Sequence, residues 1–456
     1  YWVKHAKDPD IKTWEDFVRK RDANWRTDGA INFSDNDLRY FQNAHTPTLA
    51  NGEANPWYDP YFHPDTDWKK MLFRDATSTS QANVNMRGGG KSMRYFVSLG
   101  YLNQDGLFRT DYMAYDKDMQ FNKKRYNLRG NLDFDVTEDF KIELNLGTQF
   151  VTIGGMDNDA YIWEKRILWA FPMSSPGLVN GKYVVPLSAN GDDRYNPMYA
   201  TENSNYWNKT NNSILNSAIN ATYKLDKITP GLQVRVIGSY DSYFASRSYG
   251  RYLPLLYDMR PNPNGDPLDP ILSQRNELQP PSINADFFLG KWRKMYVEGT
   301  INYNRSFGKH AVAGMLLANR EKRFDPNLQF QLPAGYQGTT GRLGYNYNGK
   351  YLFEYAVTYN GSENFPEGKR YGLFPSYSGS WIITNEKFYQ KNDILNFLKL
   401  RGSYGEVGND RIGGARYLYL PDTWKNNTGY TFGDRNTARY INGVDEAALG
   451  NPNVTW

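Results

Sequence analysis

NLRGNLDFDVTEDFKIELNLGTQF, residues 127–150, is written with a period of two. Leu128, Gly130, Leu132, Phe134 and Val136 alternate with Asn127, Arg129, Asn131, Asp133 and Asp135. After Thr137-Glu138-Asp139-Phe140 the pattern resumes, with Ile142, Leu144, Leu146 and Phe150 opposite Lys141, Glu143, Asn145 and Gln149. Side chains alternate across a strand, so the stretch predicts a hairpin with one apolar and one polar face. Each arm is about ten residues long, enough for a tilted bilayer crossing, where ordinary strands run about five or six.

Composition narrows what the apolar face touches. Hydrophobic residues make up 39% of the 456, yet aromatics reach 16%, with 36 Tyr, 24 Phe and 12 Trp, and mean hydropathy is −0.74. A soluble domain carries about 45–50% apolar residues, so this chain is poor in ordinary core and rich in amphipathic rings. Its 40 Gly and 23 Pro suit many turns. No run approaches the roughly 18 apolar residues of a membrane helix, which leaves strands as the means of crossing a bilayer. There is no cysteine, so disulfides, iron–sulfur clusters and thiolate metal sites are excluded. The net charge of +5, from 54 basic and 49 acidic residues, is spread along the chain. Basic runs such as Lys123-Lys124-Arg125 are too short for a nucleic-acid face.

About twelve runs fit the strand template: 83–87, 93–104, 126–136, 141–151, 213–225, 232–241, 294–305, 311–320, 340–348, 351–361, 373–383 and 398–406. Short connections (Thr137 to Phe140, Asp226 to Gly231, Ser306 to His310, Asn348-Gly349) alternate with long ones at 105–125, 152–212, 242–293, 321–339 and 361–372. In an up-and-down barrel successive connections fall on opposite rims, so one rim is bare and the other carries large loops, as in outer-membrane barrels. Tyr95, Val97, Leu99 and Tyr101 form an apolar stripe with a tyrosine at each end, and Tyr351, Phe353, Tyr355, Val357 and Tyr359 repeat it opposite Glu354 and Thr358. Rings there suit the two interfacial girdles of a membrane barrel. A soluble sandwich or solenoid with one buried face is the competing architecture.

Specific strings then carry a resemblance. DWKKMLFRDATSTSQANVNMRGGGKSMRYFVSLGYLNQDGLFR (67–109), GRLGYNYNGKYLFEYAVTYNGSENFPEGKRYGLFPSYSGSWIITNEKF (341–388), LKLRGSYGEVGND (398–410) and LGNPNVTW (449–456) resemble the SusC/RagA-type TonB-dependent transporters of Bacteroidota outer membranes. The resemblance implies an all-β fold, a transmembrane antiparallel β-barrel segment amounting to about half of a barrel of about 22 strands, with long extracellular loops. It implies that 1–82 is an extended loop region with a short helix and the first barrel-associated residues, and that 83–456 is the barrel segment. The plug domain, the energy-coupling box and the C-terminal strands of the family would lie outside a chain that starts at Tyr1 and stops at Trp456. The partners it implies are a SusD-like surface lipoprotein as lid, the TonB complex acting through the plug, outer-membrane lipid, and an oligosaccharide or peptide ligand. It allows a dimer of transporter–lipoprotein pairs.

The remaining motifs read mostly as structure. Arg87-Gly-Gly-Gly-Lys91 lacks the spacing of a phosphate loop and lies between two strand runs, so it reads as a hairpin connection. Asp59 to Asp67 offers carboxylates and His63 but not the spacing of a calcium loop, and reads as a solvated loop. His5, His45, His63 and His310 form no metal-binding pair, and no catalytic arrangement can be assembled, so no enzyme, metal or cofactor is expected. Asp16 to Trp25 reads as a short amphipathic helix with Trp14, Phe17, Val18 and Trp25 on its apolar side. Tyr161, Trp163, Trp169, Tyr206 and Trp207 in the longest loop are the substrate-binding candidates, joined by Tyr249, Tyr252 and Tyr257 in the next. Rings stack on sugar faces while neighbouring Asn and Asp bond hydroxyls, which favours an oligosaccharide importer. The same rings packing the loops together or contacting the lipoprotein lid, a peptide importer, and a soluble or surface-anchored glycan-binding protein are the alternatives.

Overall fold

The computed structural model describes residues 16, 39–40, 43–113, 121–156, 172–186, 195–203, 207–263, 266, 268–328, 332–390, 393–410, 416–421, 424–434, 437–446 and 449–456. Apart from Asp16, the helix expected over Asp16 to Trp25 lies outside them. In chain order the elements are helix α1 (Trp68–Leu72), β1 (Thr79–Gly89), β2 (Met93–Gln104), β3 (Asn122–Asp135), β4 (Phe140–Met156), β5 (Leu178–Val179), β6 (Lys182–Pro186), helix α2 (Pro197–Glu202), β7 (Trp207–Lys224) and β8 (Leu232–Leu253). They continue with β9 (Leu256–Arg260), β10 (Ile271–Gln274), β11 (Gln279–Phe307), β12 (His310–Phe324), β13 (Ala334–Tyr347), β14 (Tyr351–Ser362), β15 (Tyr371–Ile382), β16 (Lys399–Gly405), β17 (Trp424–Phe432) and β18 (Arg439–Glu446).

Twelve of these form one antiparallel sheet in the order β1-β2-β3-β4-β7-β8-β11-β12-β13-β14-β15-β16. All twelve runs expected from alternation are strands of it. Register fixes the faces. Tyr95, Leu132, Leu144 and Ile219 lie opposite one another across β2, β3, β4 and β7, and the neighbouring rung is Arg94, Asp133, Glu143 and Asn220. Directly opposed residues share a face, so one side of the wall is apolar and the other polar. The apolar side is bare: Val84, Val297, Leu316 and Leu343 are all more than half exposed.

Rings collect where the apolar band meets each rim. At the short-turn rim, Phe140 lies 5.9 Å from Tyr223, and His310 sits 6.0 Å from Tyr345 and 5.1 Å from Tyr347. At the other rim Tyr101 meets Tyr126 at 5.2 Å and Tyr359 stacks on Tyr371 at 5.0 Å. Two girdles enclosing an apolar belt are the signature of a barrel wall in lipid.

The short turns have local causes. Thr137 Oγ1 accepts from the Phe140 amide at 3.0 Å, closing β3 onto β4. Asn348 and Gly349 both have positive φ, +52° and +65°, as a type I′ hairpin requires. Gly231 has φ +87°, and a Cβ there would meet the Asn304 carbonyl oxygen at 1.9 Å, so only glycine fits between β8 and β11. The Arg87–Lys91 stretch ends β1 and turns into β2, with the Gly90 amide bonded to the Met93 carbonyl at 2.7 Å.

The loops differ most from expectation. The segment read as a connection over 242–293 is largely strand, because β8 and β11 run to 22 and 29 residues, and β4, β7, β12 and β13 likewise extend into the segments read as connections over 152–212 and 321–339. Past the membrane both faces meet water, so the sequence loses its two-residue hydrophobic period while the backbone ladder continues, through three register shifts in β11.

Above the long-loop rim lies a folded unit with its own core. Strands β10-β9-β6-β5 form a four-stranded sheet in which β6 and β9 are parallel. Trp68, Leu72, Tyr183, Val185, Met198, Tyr199 and Leu256 pack together beneath it, and Val179, Val184 and Met259 form a second cluster. The segment before β1 is stitched in: the Arg109 amide bonds Leu72 O at 2.9 Å, the Thr66 amide bonds Pro172 O at 2.9 Å, and Thr66 Oγ1 donates to Ser175 O at 2.6 Å. Asp59, expected in a solvated loop, is buried, and its carboxylate takes bonds from His63 Nδ1 at 2.7 Å and from the Phe62 amide at 3.0 Å.

Candidate functional site

The sequence candidates Tyr161, Trp163, Trp169 and Tyr206 lie outside the described residues. Trp207 opens β7, its backbone paired with Met156 and Gly250. Tyr249 and Tyr252 are in β8 and Tyr257 is in β9, so the rings expected in a second loop belong to extended strands and to the folded unit.

The polar face of the wall carries the constellation that the sequence reading missed. Tyr243 and Trp292 are opposed across β8 and β11, their rings stacked at 6.2 Å with a 22° interplanar angle. The Arg323 guanidinium lies 5.3 Å from the centre of the Trp292 ring, a cation–π contact. One rung nearer the short rim, Lys294 Nζ is 3.3 Å from Asp241 Oδ2, and Asn216 Nδ2 donates to Asp241 Oδ1 at 2.9 Å. The Tyr243 hydroxyl reaches Asn212 Oδ1 at 3.4 Å. Three adjacent strands thus present a ring platform beside an ion pair and amides. Each pair follows from register: Tyr243 faces Trp292, Asp241 faces Lys294, and Lys294 faces Arg323. The available signal was parity, since Trp292 and Lys294 keep step with Tyr296, Glu298 and Thr300 on the polar face of β11.

Nearer the short rim the same face carries an ion network. Arg94 lies 3.7 Å from Asp133 and 3.1 Å from Asp135, while Lys141 lies 3.6 Å from Asp133 and bonds Glu143. Charges in such numbers belong on a wet or plug-facing surface, not in lipid.

The folded unit above the rim is rigidly cross-braced. Asn196, fully buried, caps α2 by accepting from the Met198 and Tyr199 amides at 3.1 Å, and its amide donates to Gly177 O at 2.7 Å and Val184 O at 2.9 Å. The Tyr183 hydroxyl donates to the buried Glu202 carboxylate. Burial, reinforced by the field of Glu202, pushes the Tyr183 and Tyr112 phenols well above the ordinary range. Among the described residues no group of three or more His, Cys, Asp or Glu is placed to hold a metal.

No family model matches the chain. It is 24% identical over 417 residues to the TonB-dependent receptor SusC of Bacteroides thetaiotaomicron, covering 81% of this chain and 38% of that protein. It is 23% identical over 432 residues to TonB-dependent receptor P3 of Formosa agariphila, covering 91% of this chain and 39% of that one. The RagAB peptide importer superposes with a TM-score of 0.55 at 19% identity, over 86% of this chain and 42% of the importer chain. The chain is similar to SusC-type TonB-dependent receptors along most of its length. It spans about 39% of the length of the curated relatives it matches. Its sheet is accordingly a segment of transmembrane barrel wall like theirs, set in a bacterial outer membrane. The apolar belt faces lipid, the face with Tyr243 and Trp292 lines the interior, and the long-loop rim is extracellular.

Proposed function

We propose that the chain contributes to TonB-dependent import of an oligomeric nutrient, an oligosaccharide in the first reading, with a SusD-like lipoprotein closing the extracellular rim. The observation that carries the ligand class is the inward Tyr243–Trp292 platform beside Asp241, Lys294, Asn212 and Asn216. A sugar ring offers a flat C–H face and a rim of hydroxyls, and this site offers aromatic faces and a rim of donors and acceptors. The exposed apolar belt weighs against a soluble glycan-binding protein, because a water-facing wall of this kind would be an aggregation surface. A peptide ligand is the second reading, favoured by the likeness to an importer described as taking peptides.

Calorimetry on the full-length receptor, with a panel of oligosaccharides and oligopeptides, tests this. Trp292→Ala should weaken glycan binding by about tenfold, close to 1.4 kcal/mol, while co-purification with the lipoprotein is unchanged. A parent that binds oligopeptides and no glycan replaces the first reading with the second. A Trp292→Ala receptor with parental affinity removes the platform from the ligand path.

A further inference from the structure

Two neighbouring strands turn from apolar to cationic towards the same end of the lipid face, β12 at Arg320 and β11 four residues further along its length, at Arg293. On β11 the outward positions run Tyr303, Ile301, Gly299, Val297, Met295 and then Arg293; on β12 they run Val312, Gly314, Leu316, Ala318 and then Arg320 and Lys322. Ile301 faces Leu316, Val297 faces Arg320 and Met295 faces Lys322, so the cations share the face of the exposed apolar residues beside and below them. Tyr303 and Arg293 are ten residues apart. At about 3.4 Å per residue and a tilt of about 40°, that is about 25 Å of height, the thickness of the apolar band. Arg293 therefore stands where hydrocarbon ends, at the extracellular interface, while Arg320 and Lys322, opposite Val297 and Met295, spring from the upper part of the band, where long cationic side chains snorkel towards the headgroups.

Their pairing sets them apart. On the inner face Lys294, Lys141, Arg342 and Arg94 each have a carboxylate partner. No such ion pair is made by Arg293, Arg320 or Lys322 among the described residues. Instead the Arg293 guanidinium lies 4.5 Å, and the Lys322 ammonium 5.4 Å, from the centre of one Phe324 ring, which holds two like charges side by side. Arg320 and Lys322 also line a groove at the strand ends with Gln337, Arg370 and Tyr371; Glu321, which belongs to the inward set, and Glu363 are its acids.

We propose that Arg293, Arg320 and Lys322 bind the phosphate-bearing headgroup of an outer-leaflet glycolipid. Guanidinium groups take phosphate oxygens in pairs and the ammonium adds a point charge, while Phe324 stands at the boundary between headgroup and acyl chains. Continuity with the apolar belt commits the occupant to a lipid: a soluble acidic protein could reach the charges but not the surface that runs unbroken beneath them. The wall would then carry an annulus of ordered lipid at this sector, independently of what it imports.

The test is native mass spectrometry of the full-length receptor titrated with lipid A in detergent. The triple variant R293Q/R320Q/K322Q should lose about tenfold or more in affinity for diphosphoryl lipid A. R129Q/R401Q, which removes two inward cations, should bind like the parent. Dephosphorylated lipid A should bind the parent as weakly as the triple variant binds the phosphorylated form. Equal binding by parent and triple variant, or indifference to dephosphorylation, overturns the proposal. Saturation of the parent by inorganic phosphate in the absence of lipid overturns it in favour of a soluble-anion site. If the triple variant does not run as a folded, heat-modifiable barrel, K322Q and R320Q singly carry the same comparison.

Discussion

Asp133 and Glu143 stand opposite each other across β3 and β4, two carboxylates on one inward rung, with the Lys141 ammonium 3.6 Å from the first and bonded to the second. Like charges directly opposed on a sheet destabilise it, and the lysine, with Arg94 3.7 Å from Asp133, makes the rung tolerable. Lys141→Met should cost about 1 kcal/mol, a modest figure because all three side chains are about one-third exposed. Urea unfolding in detergent should show the loss, and Lys141→Met/Glu143→Gln should recover most of it.

The neighbouring rung makes the opposite prediction. Leu132 faces Leu144 on the lipid side, near mid-height between Phe140 and Phe150. Leu144→Arg should cost about 2–4 kcal/mol, whereas Asp133→Asn on the inner face should cost under about 1 kcal/mol. Spin labels at 132 and 133 give a second check, because only the former should respond strongly to a lipid-soluble quencher.

Asn196 serves four backbone groups of the extracellular unit at once, with no exposure. Asn196→Ala leaves them buried without that partner and should destabilise the unit by about 2–4 kcal/mol. Hydrogen exchange should rise across 178–202 while the amides of β3 and β4 keep their protection. A uniform rise along the chain would show instead that the unit and the wall unfold together.

Glu386, beyond the short rim, accepts from Lys350 Nζ at 2.7 Å and Trp381 Nε1 at 3.2 Å, and is also bonded by Tyr351. These donors, Lys350 first, hold its carboxyl down to about 2, below the ordinary 4.5. A lowered folded-state value means the stabilisation is complete above pH 4.5 and is lost as pH falls towards 2. Melting temperature should therefore fall over that window in the parent, and fall less in Glu386→Gln.

The wall was legible from sequence because lipid imposes a rule on every second residue, as Leu128 to Val136 and Ile142 to Phe150 show. Where lipid ends the rule ends, and the upper reaches of β8 and β11 read as loop although Tyr243 and Trp292 continue the inner face. The small hairpin of β5 and β6 did carry a signal, Asn180-Gly181 with φ of +51° and +74°, followed by Tyr183, Val184 and Val185. What no local pattern could supply is the partnership of β6 with β9 or of Thr66 with Ser175, since those contacts span many residues and both membrane rims.

The stitching of residues 66–73 to 107–109 and 172–175 also bears on biogenesis. The extracellular unit is assembled from separate stretches of chain, residues 66–73 ahead of β1 and the β4–β7 and β8–β11 connections, each carried across the membrane with the strands beside it. Its buried core cannot form ahead of that crossing, so this unit consolidates only after the strands beside it have inserted. An antibody against the assembled unit would report completed insertion on the cell surface, whereas one against a β3–β4 peptide would report synthesis alone.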